Sequence, residues 1–214
     1  MLNHNFEEAA TFLEDIFNNI DPDMTDAYIQ YGHCKFMLEK YDEALESYYK
    51  AIRVSNLKRE EMSDSLLLQR LGGILIQKKK WEDAKVIFEM CANKYENAYS
   101  YLNLGIACCY LGNYQDAENL LKKANILDTS NADVWGYMTL VMLNNGPRIY
   151  NAYQSKKQAI ALLIHNNDLM YDVSLGFAKQ GWIETARKTL EYTLLTRATY
   201  ESAKKKQKVQ EFLL

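Results

Sequence analysis

Residues able to act as a catalytic acid, base or nucleophile are scattered along the 214-residue chain rather than grouped. The three histidines are His4, His33 and His165, and no two of them have the spacing of a metal-binding pair. The sequence also lacks a glycine-rich phosphate loop, a Gly-x-Ser-x-Gly turn and an acidic calcium loop. We therefore expect no catalytic, cofactor or metal site, and we predict that the protein is not an enzyme.

The four cysteines do not indicate redox or zinc chemistry. Cys34, Cys91, Cys108 and Cys109 form no Cys-x-x-Cys pair and no zinc-ligand spacing. Adjacent residues on a helix point about 100° apart, so a disulfide between Cys108 and Cys109 would be strained. We expect all four thiols to be reduced and structural.

The balance of charges disfavours nucleic acid and membrane surfaces as partners. The chain has 25 Lys and Arg against 28 Asp and Glu, a net charge of −3, so it has no surplus to attract phosphate backbones or anionic lipid. The lysine runs at 78–80 and 204–206 are typical of solvated surfaces. Apolar runs fall short of the roughly 20 residues of a membrane span, and the N-terminus does not resemble a signal peptide. We predict a cytoplasmic protein.

The elements that carry these residues repeat along the chain. Three segments contain a glycine, an alanine 12 residues later, and a second small residue seven residues after that. In chain order these triplets are Gly32, Ala44 and Ala51; Gly72, Ala84 and Cys91; and Gly105, Ala117 and Ala124. Successive glycines are 40 and 33 residues apart, which indicates a repeat of two helices with an insertion in the first interval.

This pattern resembles the tetratricopeptide repeat (TPR) over almost the whole chain. The resemblance implies an all-α fold, a right-handed superhelical solenoid of helix pairs. A glycine on the first helix of a pair allows the second helix to approach closely, with the alanine opposite it. We expect Tyr48, Phe88 and Leu121 to fill the space between one pair and the next.

We predict one solenoid domain over 1–214 and interpret the sequence as a segment of a longer protein. Its divisions are the second helix of an incomplete repeat (1–22), helix pairs at 23–58, 61–97, 98–130, 131–166 and 167–196, and a capping helix (197–214). Two pairs fit less well, because Ala152 lies one residue late and Gly176 two residues late. The incomplete first repeat predicts that a partner or a second copy completes the N-terminal edge.

In a solenoid of this type the first helices line the concave surface, where a partner protein would bind. The residues expected on this partner-binding groove are Ile29, His33, Phe36, Met37, Gln69, Gly73, Ile76, Leu102, Asn103, Ile106, Cys109, Tyr137, Leu140 and Leu143. Such an apolar wall suits an amphipathic helix or an extended segment with aliphatic anchors. The alternative is that several of these residues pack against neighbouring first helices.

Two features bear on which TPR proteins are relevant. One subclass grips chaperone tails with cationic residues, but the matching positions here hold Ile29, His33, Tyr99 and Asn103, so this clamp is missing. The stretch 133–137, Asp-Val-Trp-Gly-Tyr, is similar to the C-terminal repeat regions of cilia- and flagella-associated proteins. That resemblance implies an axonemal scaffold, located in the cilium or flagellum. Intraflagellar-transport, chaperone-adaptor and ubiquitin-ligase subunits share the same repeat.

The function indicated by these features is a protein–protein interaction scaffold in a multiprotein assembly. The alternative is a helical-repeat RNA-binding module, which would need basic or stacking residues at the same position of successive repeats.

Overall fold

The computed structural model describes residues 2–58 and 64–196, and every regular element in these ranges is an α-helix. The eleven described helices are α1 (Leu2–Asn19), α2 (Thr25–Met37), α3 (Tyr41–Leu57), α4 (Ser65–Gln77), α5 (Trp81–Lys94), α6 (Ala98–Tyr110), α7 (Tyr114–Leu127), α8 (Ala132–Asn144), α9 (Ile149–Ala161), α10 (Asn167–Lys179) and α11 (Ile183–Thr196). The all-α prediction is confirmed. The predicted capping helix at 197–214 lies outside the described residues.

Consecutive helices pack together as hairpins after α1, which itself packs on α2. The pairs are α2 with α3, α4 with α5, α6 with α7, α8 with α9, and α10 with α11. The helices fall into two compact units, one of residues Met1–Glu96 and one of Asn97–Leu214. Unit 1 thus contains α1 to α5, and unit 2 contains α6 to α11. A single solenoid domain over the whole chain stays a prediction.

Local sequence explains where the first helices begin. The side chain of Asp64 accepts a hydrogen bond from the backbone N–H of Leu67, and Asn97 accepts one from Ser100 in the same way. These side chains satisfy N–H groups that have no partner within the helix. The extended backbone at each cap then fixes where α4 and α6 start.

A close contact at each repeat glycine holds the first three pairs together. A Cβ built on Gly32 would lie 2.5 Å from Cε1 of Tyr48, and one on Gly72 would lie 2.6 Å from Cζ of Phe88. A Cβ on Gly105 would lie 3.0 Å from Cγ of Leu121. These large side chains therefore pack on the glycine of their own pair, whereas the sequence interpretation placed them between successive pairs.

The fourth and fifth pairs carry hydroxyl residues where the first three carry glycine. Ser174 lies 12 residues before Ala186, and its buried hydroxyl donates a hydrogen bond of 3.0 Å to the carbonyl oxygen of Ala186. In the fourth pair Thr139 is fully buried, and its hydroxyl donates to the carbonyl oxygen of Trp135. Assigning the fifth repeat glycine to Gly176 was wrong, because Gly176 instead faces Leu143 on α8.

The turns within the pairs confirm this register. Seven residues after each of Gly32, Gly72, Gly105, Thr139 and Ser174, the backbone adopts a positive φ. The residues in this conformation are Glu39 (59°), Lys79 (56°), Gly112 (80°), Gly146 (93°) and Gly181 (78°). A left-handed residue at this place ends a helix and satisfies its last carbonyl groups. Each pair therefore has one residue that lies seven residues before its turn residue. We call these five residues the glycine positions, after the glycines of the first three pairs, and they are Gly32, Gly72, Gly105, Thr139 and Ser174.

Candidate functional site

The predicted groove residues differ in exposure between the two units. In unit 1, Met37 is 44% exposed, His33, Phe36, Gln69, Gly73 and Ile76 are half-buried, and Ile29 is buried. In unit 2 all seven predicted residues are buried: Leu102, Asn103, Ile106, Cys109, Tyr137, Leu140 and Leu143. In unit 2 the first helix α8 packs against two other first helices, α6 and α10. The predicted groove residues of α8 therefore lie among other first helices. The role of the whole set in partner binding stays a prediction.

In unit 1 the first-helix residues are organised around Arg70, which the sequence interpretation did not select. Its guanidinium lies 5.0 Å from the ring centre of Phe36, and an Nη atom is 3.9 Å from the sulfur of Met37. These contacts hold a cation and two apolar side chains together on the faces of α2 and α4. Arg70 lies two residues before a glycine position, as do Asn103 and Tyr137, which the interpretation did include.

The side chain of His33 packs and hydrogen-bonds within unit 1 and is not part of a catalytic cluster. Its Nδ1 lies 2.9 Å from the hydroxyl of Tyr48, and its Nε2 lies 4.0 Å from a carboxylate oxygen of Asp64. Burial lowers the pKa of His33, and the charge of Arg70 lowers it further, against the opposing effect of Asp64. His33 and the Tyr48 hydroxyl share this hydrogen bond, and the tautomer of the imidazole sets which of them donates.

An open cavity of about 260 Å³ lies on the first-helix face of unit 2. It brings two predicted groove residues, Cys109 and Leu140, together with residues of α10 and the start of α7. The lining residues that were not predicted are Tyr110, Tyr114, Asn144, Asp172, Leu175, Gly176 and Lys179. Within it, the hydroxyl of Tyr110 donates a hydrogen bond of 3.0 Å to Oδ2 of Asp172. We call this the Tyr110–Asp172 cavity.

Asp172 could have been found from the sequence if the register of the fifth pair had been right. It lies two residues before Ser174, the position held by Arg70, Asn103 and Tyr137 in other pairs. The signal that would have revealed it is the 12-residue interval between Ser174 and Ala186. Taking Gly176 as the repeat glycine placed this position two residues too late in the chain, so Asp172 was not selected.

A second cavity, of about 220 Å³, lies in unit 1 among α1, α2 and α3. Its lining includes Phe17 and Tyr28, whose rings stack with centres 4.7 Å apart, and Lys50, whose ammonium is 4.6 Å from the Tyr28 ring centre. Beside it, the buried Lys35 forms ion pairs with Glu43 at 2.7 Å and with Glu14 at 3.7 Å. These contacts anchor α1 on the first pair.

Burial opposes ionisation of the cysteine at the Tyr110–Asp172 cavity. All four cysteine side chains are buried. Burial raises the pKa of Cys109 to about 12, and the charge of Asp172 contributes to the rise. Because the thiolate is the reactive form, Cys109 is unreactive near neutral pH. Within 2–58 and 64–196, no three His, Cys, Asp or Glu side chains are grouped so as to hold a metal ion.

Comparison with solved structures defines the class of protein. A thermophilic TPR protein of Thermus thermophilus matches with a TM-score of 0.66 and 17% identity, covering 88% of this chain and 98% of that one. YrrB, described as a TPR protein with an unusual peptide-binding site, matches with a TM-score of 0.61 and 19% identity, covering 94% and 99%. The helix pairs therefore have the TPR fold, as the spacing predicts.

Comparison with protein families narrows the assignment. The family model of the cilia and flagella-associated protein 70 C-terminal domain matches residues 9–210, so the chain belongs to this family. The human cilia- and flagella-associated protein 70 is 29% identical over 175 residues, which is 81% of this chain and 15% of the length of that relative. The resemblance based on 133–137 is thus confirmed. The family is a repeat domain and not an enzyme family. Of the described helices, none combines the length and apolarity needed to cross a membrane.

Proposed function

We propose that this domain is a protein–protein interaction module of a ciliary or flagellar assembly and binds a segment of a partner protein along its first helices. Membership of the cilia and flagella-associated protein 70 family supports the ciliary setting. TPR pairs expose one face of successive first helices, and such surfaces serve as extended binding sites. The observation that carries the proposal is the Tyr110–Asp172 cavity, to which α6, α8 and α10 all contribute.

Unit 1 adds a second contact region to the proposal. Phe36 and Met37 offer apolar surface beside the guanidinium of Arg70. Aromatic, methionine and arginine side chains are enriched at protein interfaces because they combine large contact area with directional polar groups. This composition suits a peptide segment with an apolar anchor.

The position two residues before each glycine position favours a protein partner over RNA. In the five pairs this position holds Gln30, Arg70, Asn103, Tyr137 and Asp172. A helical-repeat RNA reader needs basic or stacking residues that recur at one place in successive repeats. The mixture found here, which includes a carboxylate, does not supply that recurrence.

Affinity capture from axonemal extract tests the proposal. Leu102 and Ile106 are buried, so charged substitutions there would disturb the fold rather than probe the face. Met37→Glu in unit 1 and Asn144→Lys in unit 2 instead alter exposed first-helix positions. We expect proteins captured by the wild-type domain to be lost from these two variants, with helical content unchanged by circular dichroism.

The matched controls are Val86→Glu and Ile126→Lys, which place the same charges on exposed apolar positions of the second helices α5 and α7. Controls that keep the captured proteins support binding through the first helices. If the controls lose those proteins and the first-helix variants keep them, the second helices form the interface and the proposal is wrong.

The N-terminal edge is a separate candidate for self-association. Phe12 on α1 is 66% exposed and Ile20, directly after α1, is 71% exposed, so apolar surface is available there. Sedimentation of the wild-type domain should show a dimer that the double variant Phe12→Glu, Ile20→Lys dissociates, while Ile126→Lys leaves it intact. If the wild-type domain sediments as a monomer at high concentration, this edge does not bind a second copy of the domain.

A further inference from the structure

The Tyr110–Asp172 cavity has the size of a site for one side chain. Its volume of about 260 Å³ is below the range of about 300–1,000 Å³ that is usual for small-molecule sites. It is open rather than enclosed, and its rim includes the exposed residues Asn144 and Lys179. A side chain projecting from a bound peptide can therefore enter it while the peptide backbone stays on the surface.

The polar centre of the cavity is a carboxylate held in place by a phenol. The hydroxyl of Tyr110 donates to Oδ2 of Asp172, and the Tyr110 ring packs edge-on against Tyr137 with centres 6.4 Å apart. Burial raises the pKa of Tyr110, and the nearby Tyr137 and Asp172 raise it further. Tyr110 therefore remains a protonated donor to the carboxyl group of Asp172.

The same cavity provides aromatic surface next to this carboxylate. Tyr110 and Tyr114 both line it, from the end of α6 and the start of α7. A cation is attracted both to a carboxylate and to the face of an aromatic ring. Between the two basic side chains, arginine fits better, because its planar guanidinium stacks on tyrosine and can bond a carboxylate through two N–H groups.

From this combination we infer that the cavity binds an arginine side chain of the partner segment, with Asp172 pairing with the guanidinium and the two tyrosines contacting it. The inference rests on the proposed function, since it specifies the partner of the first-helix face. In this domain the carboxylate is on the protein and the cation is on the peptide. A chaperone-tail clamp has the reverse arrangement, in which protein cations bind a peptide carboxylate.

Lys179 provides an internal check on the sign of the ligand charge. It is exposed at the rim of the cavity and carries the same charge as the inferred ligand. Its removal should therefore strengthen arginine binding modestly, because like charges repel. If the cavity instead received an acidic side chain, removal of Lys179 would weaken binding and removal of the Asp172 charge would strengthen it.

The test is a titration of the folded domain with N-acetyl-L-argininamide, followed by amide chemical shifts in NMR spectra. N-acetyl-L-norleucinamide and N-acetyl-L-glutamic acid amide serve as apolar and acidic comparison probes. We expect saturable shifts at Tyr110 and Asp172 with the arginine probe and weaker shifts with the other two. Asp172→Asn should weaken arginine binding about tenfold or more, because a hydrogen-bonded charge is lost.

Two variants complete the design. Asp116→Asn on α7 is the control, since Asp116 is exposed and outside the cavity, and it should leave the arginine affinity unchanged. Lys179→Ala should keep or increase that affinity. Equal shifts with the norleucine probe, no saturable shift with the arginine probe, or preferential binding of the glutamate probe would each overturn the inference. The proposed function is tested separately, because capture lost by Met37→Glu and Asn144→Lys but kept by Asp172→Asn would leave it standing.

Discussion

The ring of Phe88 lies directly against Gly72, so that a Cβ on Gly72 would be 2.6 Å from ring atom Cζ. Phe88 is fully buried, which leaves its ring little room to move. The equivalent contact in the third pair is looser, with 3.0 Å between a Cβ on Gly105 and Cγ of Leu121. This difference of 0.4 Å should decide how each pair tolerates an added methyl group.

Gly72→Ala should destabilise the domain, whereas Gly105→Ala should be close to neutral. Alanine gains about 1 kcal/mol over glycine within a helix, but an overpacked core typically loses about 1–3 kcal/mol. At Gly72 the clash with a fixed ring should dominate, giving a net loss of up to about 2 kcal/mol. Urea unfolding of both variants measures these changes in the free energy of unfolding.

The double variant Gly72→Ala, Phe88→Leu tests the cause of that loss. If the ring contact is responsible, the two changes should couple, and the double variant should lose less than the sum of the single losses. Additive losses would show that the cost of Gly72→Ala does not come from Phe88.

The repeat glycines show how far sequence reasoning reaches in this chain. The 12-residue glycine-to-alanine interval was enough to predict the helix pairs around Gly32, Gly72 and Gly105. Such spacing records only that two helices approach closely, so it could not show that Tyr48 or Phe88 packs on the glycine. In the last pair a serine fits the same space because its hydroxyl bonds the carbonyl of Ala186. A search for glycine alone misses that solution.

The candidate site was harder to predict than the fold. Exposure depends on neighbours that are distant in sequence, and Leu102 and Ile106 are buried although their helix face was correctly anticipated as apolar. Asp172 was missed because its register depends on Ser174. Arg70 was missed because the sequence analysis selected its neighbour Gln69, which lies one residue earlier on the same helix. The contacts of Arg70 with Phe36 and Met37 are what single it out.

The turn at Lys79 offers a stabilising substitution. Lys79 has a φ of 56°, where the equivalent residue in the third pair is Gly112 with a φ of 80°. A residue with a Cβ pays about 1–2 kcal/mol in this conformation, and glycine loses about 0.5–1 kcal/mol through its greater freedom when unfolded. Lys79→Gly should therefore raise the free energy of unfolding by about 0.5 kcal/mol.

Lys80→Gly is the matched control, because Lys80 has a φ of −86° and gains no relief from glycine. Thermal unfolding of the two variants should thus move in opposite directions. A lower Tm for Lys79→Gly than for the wild type would contradict the strain assigned to this turn.

Lys156 occupies a position where the other pairs place large apolar side chains. Lys156 lies 17 residues after Thr139, whereas Phe88 lies 16 residues after Gly72. The difference is the one extra residue in the turn of the fourth pair. Only 6% of Lys156 is exposed, and its ammonium donates to Oγ1 of Thr189 at 3.3 Å. It also lies 5.7 Å from the Phe177 ring centre. Burial lowers the pKa of Lys156, and the charges of Lys188 and Lys157 lower it further.

Lys156→Met should stabilise the domain at neutral pH by about 1 kcal/mol, because it removes a charge from a buried site while keeping an unbranched side chain of similar length. Since the pKa is lower in the folded state than its ordinary 10.5, the unfolded state binds more protons between the two values. Wild-type stability therefore rises with pH in that window, and the advantage of the variant should shrink. A variant less stable than the wild type at pH 7 would show that the ring contacts outweigh the cost of burial.

In unit 2, the buried Glu118 forms an ion pair with the half-buried Arg148, and this pair joins α7 to the start of α9. The guanidinium meets both carboxylate oxygens, at 3.0 and 2.8 Å, and Lys122 lies 2.9 Å from one of them. The hydrogen bond from Arg148 is the main cause that lowers the pKa of Glu118 to about 2, with Lys122 adding to it against the opposing effect of burial. The pair therefore contributes most of its stability above the ordinary pKa of 4.5.

Arg148→Met should reduce the free energy of unfolding at pH 7 by about 2 kcal/mol, since it leaves a buried carboxylate with Lys122 alone. The difference from the wild type should shrink as pH falls from 4.5 towards 2, because Glu118 becomes protonated in both proteins. Arg53→Met, at an exposed position of α3, provides the same change of side chain without a buried partner and should cost far less. Urea unfolding at several pH values separates these cases, and a loss for Arg148→Met that stays constant with pH would show that Glu118 is not its cause.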